Sequence, residues 1–225
     1  MREILIVTEG QTEQKFVSSI LIPYFSEQGI YHIYPKTIRT SKDHYGGLVN
    51  YGRLKDDINR HMRSKNGAII TTFLDFYRVP ESMPNYDECR RKRNVDERIN
   101  CLISFLEEDT EVLNNNIFLP YLQKHEFEAL LFSEITWAAA VLNTNGQNEL
   151  QKVLNNFPNP ENINEGNETA PSKRLINIFR EHSSERYDKI IYGELISSQI
   201  GMDIMMEQCP GFANWINDIV KLANS

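Results

Sequence analysis

Acidic residues lie at or just after three apolar, strand-like segments of this 225-residue sequence: Glu9, Asp75 and the pair Glu126/Glu128. Because the C-terminal ends of parallel strands meet at one edge of a sheet, these carboxylates can converge. Converging carboxylates repel one another, and a hard divalent cation relieves that repulsion. The pattern predicts a Mg²⁺ (or Mn²⁺) site at Glu9 and Asp75 that supports attack on a phosphodiester, with the pair as further candidates. The alternative is that these side chains are solvated or cap the helices that follow.

Two groups of cations are candidates for phosphate binding. The segment 168–175 (ETAPSKRL) predicts a helix that begins near Pro171 and carries Lys173 and Arg174 in its first turn. A helix start that combines cations with free N–H groups suits an anion, although ordinary solvated charge is the equal alternative. The second group is a basic run in the long segment after Asp75, where contact with phosphate competes with a solvated surface. This run consists of Arg90, Arg91, Lys92 and Arg93.

The segment 125–128 (HEFE) leaves two conformations open. In a strand, Glu126 and Glu128 share one face. At a helix start, His125 and Glu128 share one instead. A histidine in this position is more typical of a hydrogen-bonded structural residue than of a catalytic one.

Composition and charge narrow the class of protein. With 40% hydrophobic and 24% charged residues, the chain is typical of a soluble globular protein. A net charge of −7 argues against coating nucleic acid with a basic face, but not against a metal enzyme that needs carboxylates. The three cysteines predict reduced thiols in a cytoplasmic protein, with neither a disulfide nor a zinc site. No segment approaches the ~18 apolar residues of a membrane span, and the motifs of P-loop, Rossmann and hydrolase-elbow enzymes are missing.

Apolar periodicity predicts an α/β fold with a mostly parallel central sheet and helices on both faces. Residues 1–133 are expected to form this core, and residues 134–225 a mainly helical region packed on it. The alternative is a single compact domain over residues 1–225. Pro35 marks an edge or a bend in the second strand, and Pro120 breaks the last one. Strands are expected near 4–7, 30–38, 68–75 and 117–123, and helices near 12–28, 49–62, 96–108, 134–156, 171–182 and 203–223.

Four segments together resemble a bacterial family of domains of unknown function in the Toprim-like clan, and the likeness extends over nearly the whole chain. The resemblance implies a Toprim-like fold related to the overcoming-lysogenization-defect nucleases. In such domains a glutamate after the first strand and acids after a later strand hold Mg²⁺ for phosphoryl transfer. Glu9 matches that glutamate and Asp75 the first later acid, whereas Tyr77 replaces the second. The segments are VTEGQTE (7–13), TFLDFYRVP (72–80), HEFEALLF (125–132) and ETAPSKR (168–174).

The resemblance implies a Mg²⁺-dependent nuclease acting on DNA or RNA, in phage defence, with an ABC-type ATPase as a partner. Glu9 and Asp75 are then expected to bind the metal, and Glu126 or Glu128 to complete the site. Lys173 and Arg174 are expected to steady the scissile phosphate. Supporting roles fall to Gly10, Thr12, Glu13, Tyr77 and His125.

Two further functions compete with the nuclease. Tyr77 in place of a second acid, together with the net charge of −7, favours a non-catalytic subunit or one gated by an ATPase partner. Phosphoryl transfer to or from a small nucleotide, with Asp75 as the nucleophile, is the third hypothesis. An oligomer is compatible with all three.

Overall fold

A computed structural model describes residues 2–38, 50–163, 166 and 168–225. Its centre is a five-stranded sheet in which every pairing is parallel. The spatial order is β2-β1-β3-β4, and β5 pairs with the end of β3. The predicted α/β fold with a mostly parallel sheet is therefore confirmed. The strands are β1 (Ile4–Thr8), β2 (Ile33–Thr37), β3 (Ile69–Asp75), β4 (Ile117–Leu119) and β5 (Leu122–Gln123).

Helices surround the sheet and form most of the chain after residue 133. A π-helical turn (Val17–Leu21) joins the first two, and short 3₁₀ turns cover Phe76–Arg78, Phe127–Phe132 and Pro160–Asn162. The predicted start of the second helix, at residue 49, lies outside the described residues. The α-helices of the described part are α1 (Gln11–Phe16), α2 (Ile22–Glu27), α3 (Tyr51–Ser64), α4 (Tyr86–Arg90), α5 (Val95–Glu108), α6 (Ala138–Val141), α7 (Thr144–Asn155), α8 (Pro171–His182), α9 (Lys189–Ile200), α10 (Met202–Gln208) and α11 (Pro210–Ala223).

Both faces of the sheet are covered, and β1 shows why its sequence is apolar throughout. Ile4 and Ile6 belong to one hydrophobic cluster, with α1, α2 and the C-terminal helices. Leu5 and Val7 belong to a second cluster on the opposite face, with α3 and α5. A strand that is buried on both sides has no polar face to alternate with.

The C-terminal helices share a core with the sheet. Trp215 of α11 stacks on Phe73 of β3 with ring centroids 5.2 Å apart, and on Tyr121 at 4.5 Å. Its indole N–H donates a hydrogen bond to Thr71 Oγ1 over 2.8 Å. This buried tryptophan fixes α11 against the strand that ends in Asp75.

Helix α9 did not follow from the sequence pattern. Its sequence, KIIYGELISSQI, places apolar residues on both faces, so there is no amphipathic stripe to recognise. Its start is nevertheless capped, because the Asp188 carboxylate accepts hydrogen bonds from the N–H groups of Ile190 (2.9 Å) and Ile191 (3.0 Å). The helix matters because its first residue reaches the candidate site.

The prediction of three reduced thiols is wrong for two cysteines. Cys89 of α4 and Cys101 of α5 form a disulfide, whereas Cys209 is free and buried. The chain reverses between α4 and α5 and brings the two Cα atoms to 5.4 Å, within disulfide range. The packing of α4 against α5 brings the two cysteines together, and no sequence motif predicts it.

Proline positions were informative about breaks in the elements. The last predicted strand is interrupted at Pro120 into β4 and β5, and the predicted 203–223 helix is two helices that meet at Pro210. The predicted start of α8 at Pro171 agrees with the structure. Among the helices of the described ranges, none is both long and apolar enough for a transmembrane segment.

Candidate functional site

Five acidic side chains gather at the C-terminal ends of β1 and β3. Because β1 and β3 are parallel neighbours, with Thr8 opposite Phe73, the residues that follow each strand emerge at the same edge. None of the five acids is more than 8% exposed. This acidic cluster consists of Glu9, Glu13, Asp75, Glu126 and Glu128.

Asp75, the last residue of β3, is the electrostatic centre of the acidic cluster. Its Oδ1 accepts a hydrogen bond from the N–H of Phe127 over 2.7 Å. Burial raises the pKa of Asp75 well above its usual range, and the negative charges of the other members raise it further. Glu13 and Glu128 are the strongest of these neighbours, followed by Glu9 and then by Glu126.

The turn from β1 into α1 positions Glu9 and Glu13. Glu9 follows the last residue of β1, and Glu13 lies in the first turn of α1, where its Oε2 accepts the N–H of Gly10 over 2.8 Å. This backward hydrogen bond is half of a capping box and holds the Glu13 carboxylate close to the strand end. Burial raises the pKa of Glu13, and the charge of Glu9 adds to that shift. Glu13, predicted only as a supporting residue, is thus a member of the cluster.

The HEFE segment takes neither of the two conformations left open by the sequence. His125 has a left-handed backbone (φ 64°), and its carbonyl accepts the N–H of Tyr77 over 2.9 Å. Glu126 is extended, and a 3₁₀ turn then begins at Phe127. This tight bend places Glu126 and Glu128 beside Asp75, and it ties them to the chain that follows β3.

The start of α8 binds an anion supplied by the protein itself. The Ser172 N–H donates to Glu126 Oε2 over 2.9 Å, and the Ser172 hydroxyl donates to Oε1 over 3.0 Å. This agrees with the affinity of helix N-termini for carboxylates. Lys173 points to solvent, and Arg174 Nε donates to the Thr169 carbonyl over 2.7 Å. Neither residue is among the charges that shift the pKa values of Asp75, Glu13 and Glu128.

Lys189, the first residue of α9, supplies the cation that sequence reasoning missed. Its Nζ lies 2.6 Å from Glu128 Oε1. Burial lowers the pKa of Lys189, but the charges of Glu128, Glu126 and Asp75 outweigh that effect and raise the pKa above its ordinary value. The available signal was the capping residue Asp188 directly before it, which marks a helix start despite the missing amphipathic stripe.

Tyr187 places a second donor beside the same acids. Its hydroxyl is buried and makes no hydrogen bond within the described part of the chain. Burial raises the pKa of Tyr187 well above its usual range, and the charges of Glu128 and Glu126 add to the shift. The phenol therefore keeps its proton at neutral pH.

The comparison with known families places all of these residues in one domain. A family model for a domain of unknown function, DUF4276, matches residues 8–220. The chain belongs to this family. No curated protein and no solved structure matches the chain.

The other predicted residues of this DUF4276 domain are not members of the acidic cluster. The methyl group of Thr12 lies at the contact between α1 and α9, where a side chain at Gly193 would approach it to 3.4 Å. Tyr77 and Arg90 line a cavity that begins at Phe76, the residue after Asp75. Arg90, Arg91 and Arg93 are all exposed, and Arg90 is the one of the three that also lines this cavity.

The acidic cluster of the DUF4276 domain carries an excess of negative charge. Five carboxylates face one ammonium, Lys189, which leaves an excess of negative charge that a divalent cation would relieve. Both oxygens of Glu126 accept hydrogen bonds from Ser172, and Glu128 is paired with Lys189. Glu13 and Asp75 likewise accept backbone N–H groups, from Gly10 and Phe127. Within residues 2–38, 50–163, 166 and 168–225, no group of three or more His, Cys, Asp or Glu side chains is arranged to hold a metal ion.

Proposed function

We propose that this DUF4276 domain is a Mg²⁺-dependent phosphoryl-transfer enzyme, a Toprim-like nuclease that cleaves DNA or RNA. The observation that carries the proposal is the burial of Asp75 together with four other carboxylates at the C-terminal edge of a parallel sheet. Burying like charges together is costly, and proteins tolerate it where a cation or a functional role compensates. Mg²⁺ would supply the positive charge that the carboxylates lack, and the phosphodiester would supply further oxygen ligands for the metal.

Each residue near the cluster has a role in this proposal. Glu9, Glu13 and Asp75 hold the metal, which when bound withdraws charge from the phosphoryl oxygens. Lys189 and Tyr187 donate hydrogen bonds to the non-bridging oxygens of the phosphate. Hydrogen bonds from Ser172 keep Glu126 in place, and the Glu128 carboxylate orients the Lys189 ammonium.

Aromatic rings beneath the cluster limit its contact with water. Phe127 packs against Phe16 with ring centroids 5.1 Å apart and against Phe73 at 6.3 Å. All three rings are almost fully buried. A dry floor of this kind strengthens the electrostatic interaction between the donors and the transferred phosphate.

The resemblance to overcoming-lysogenization-defect nucleases supports a cellular role in phage defence, beside an ATPase of the ABC type. Such a partner would couple cleavage to nucleotide hydrolysis. The proposal for the chemistry does not depend on the partner, because the residues that carry it all belong to this chain.

The test is cleavage by the purified protein in the presence of Mg²⁺ or Mn²⁺. We expect cutting of single-stranded DNA, duplex DNA or RNA, abolished by Glu9→Gln and by Asp75→Asn. The matched control is Asp203→Asn, which removes an exposed carboxylate of α10 and leaves activity unchanged. If the wild-type protein cuts none of these substrates with Mg²⁺ or Mn²⁺, the proposal is wrong.

A gated, non-catalytic subunit is the second candidate, and a specific observation favours it. Glu126 and Glu128 are already bonded to Ser172 and Lys189, and the cluster is almost closed to solvent. In this alternative the isolated chain takes up no metal, and a partner ATPase must rearrange the cluster first. Mn²⁺ binding by the chain alone contradicts it. Metal uptake that appears only with a co-purified ATPase supports it.

A further inference from the structure

A cavity of about 230 Å³ begins at Phe76, the residue that follows Asp75. Three aromatic rings and two guanidinium groups line it, from Phe76, Tyr77, Tyr86, Arg90 and Arg98. The remaining lining is apolar and comes from Val79, Cys89 and Leu102. The proposed chemistry at the acidic cluster does not use this cavity.

The lining has the composition of a site for a planar, electron-rich ring. Aromatic side chains and guanidinium planes are the groups on which proteins stack unpaired nucleobases. Arginine also presents forked donors that suit base edges and phosphate oxygens. A base that is paired within a duplex cannot enter such a cavity unless it leaves the stack, so the cavity favours single strands.

Two hydrogen bonds fasten the chain from Asp75 to Tyr77 to the bend at residues 125–127. The Tyr77 N–H donates to the His125 carbonyl over 2.9 Å, and the Phe127 N–H donates to Asp75 over 2.7 Å. The chain from Asp75 to Tyr77 is therefore fastened to the bend that carries Glu126. A ring bound beside Tyr77 would be held at a fixed place relative to the carboxylates.

The disulfide fixes the opposite wall. Cys89 lines the cavity and lies one residue before Arg90 on α4, and its partner Cys101 lies on α5, which also carries Arg98. The covalent link holds the two arginine-bearing helices together. Of the four cations of the basic run, Arg90 is the one that the lining includes.

We propose that this cavity binds one nucleobase of a single-stranded nucleic acid, adjacent to the phosphate held at the acidic cluster. The inference rests on the proposed function and specifies its substrate class as single-stranded DNA or RNA. Tyr86 stacks on the base, and Arg90 and Arg98 bind its edge or the neighbouring phosphate.

The experiment measures binding without cleavage. A Glu9→Gln background in EDTA is titrated against fluorescent oligothymidine and oligouridine of about ten nucleotides, a length within the range of single-strand binding sites. The same protein is titrated against a duplex of equal length. We expect single strands to bind more tightly than the duplex. We expect Arg90→Gln and Tyr86→Leu to weaken single-strand binding about tenfold, the loss typical of removing one stacking or ionic contact.

Matched variants separate the cavity from general charge and from misfolding. Arg91→Gln removes the neighbouring exposed arginine, and its affinity should stay within about twofold of the parent, as for a surface cation at moderate salt. Tyr86→Phe keeps the ring and should keep the affinity, which shows that the site tolerates substitution at this position. The inference is overturned if neither oligonucleotide binds, if the duplex binds equally well, or if Arg90→Gln behaves like Arg91→Gln.

The two proposals fail independently. If single strands bind through the cavity but the wild-type protein cuts nothing with Mg²⁺ or Mn²⁺, the nuclease proposal is wrong and the base site stands. If the wild-type protein cuts nucleic acid while Arg90→Gln and Tyr86→Leu bind substrate normally, the base site is wrong and the nuclease stands.

Discussion

The Lys189 ammonium lies 2.6 Å from Glu128 Oε1, so α9 introduces a positive charge into a cluster of five buried carboxylates. The two side chains differ in exposure: Glu128 is 1% exposed and Lys189 is 35% exposed. The lysine thus reaches inward from the rim of the site. Its single positive charge only partly balances the acids.

The first prediction concerns the removal of this charge. Lys189→Met leaves Glu128 buried without its counter-ion, and we expect the free energy of unfolding to fall by about 3 kcal/mol at neutral pH. Urea denaturation measures the change. Adding Glu128→Gln should restore most of the loss, because the uncompensated charge is then removed as well.

The control for that variant is another lysine–glutamate pair. Lys15 lies 3.1 Å from Glu194 with both side chains well exposed, so Lys15→Met should cost less than about 1 kcal/mol. Equal losses from Lys15→Met and Lys189→Met would show that the Glu128 pair has no special electrostatic role.

The second prediction concerns metal binding, measured as a gain in stability. Mn²⁺ at about a hundred times its Kd should raise the free energy of unfolding of the wild-type protein by about 2.7 kcal/mol. Asp75→Asn should abolish the gain, since it removes a charged ligand while keeping an oxygen that can accept the Phe127 N–H. Asp203→Asn should leave the gain intact. A wild-type protein that gains no stability from Mn²⁺ or Mg²⁺ has no resident metal site.

The third prediction follows from the raised pKa of Asp75 in metal-free protein. An acid whose folded-state pKa lies above its unfolded value of 3.8 binds its proton more tightly when folded. Its stabilising contribution is therefore present at low pH and is lost as pH rises through the folded pKa. With EDTA present, Asp75→Asn should be more stable than the wild type at about pH 8. The difference should shrink as the pH is lowered toward about 5.

The comparison with Asp75→Asn is needed because other groups titrate in the same range. Burial and the charge of Arg60 lower the pKa of His61 to about 4. The folded protein therefore favours the neutral imidazole, and the free energy of unfolding decreases as the pH falls below about 6.5. Both proteins contain His61, so its contribution cancels in their difference. A difference in stability that does not change with pH would contradict the raised pKa of Asp75.

The sequence was sufficient to locate the two central acids but not their surroundings. Glu9 and Asp75 follow apolar runs, and the parallel arrangement of those runs brings the two ends together. The helix start at Pro171 was also predictable, including its affinity for an anion. Its actual anion, Glu126, lies 46 residues earlier in the chain and is brought there only by tertiary folding. Lys189 was missed for a related reason, since α9 is apolar on both faces and gives no periodic signal.

The fourth prediction tests the anchoring of Glu126 by the start of α8. Ser172→Ala removes the hydroxyl hydrogen bond of 3.0 Å but keeps the backbone hydrogen bond, so the free energy of unfolding should fall by about 1 kcal/mol. Ser198→Ala, at an exposed position of α9, should change it by less than about 0.5 kcal/mol. If the two variants are equally stable, the Ser172 hydroxyl does not hold Glu126.

The last prediction concerns the disulfide that closes the cavity wall. Without reductant, unfolded wild-type protein should take up one alkyl group, at Cys209, and reduced unfolded protein should take up three. The folded protein should take up none, because Cys209 is buried and burial raises the pKa of its thiol to about 12.

The disulfide should also contribute to stability. Cys101→Ser should lower the free energy of unfolding by about 3 kcal/mol, the loop-closure contribution for a loop of this length. Dithiothreitol should have the same effect on the wild type and none on Cys101→Ser.

Since the disulfide joins the helices that carry Arg90 and Arg98, Cys101→Ser should also weaken the binding of single-stranded oligonucleotides. Three reactive thiols in the non-reduced, unfolded chain would remove the covalent support for that wall, and the arginines would then depend on packing alone.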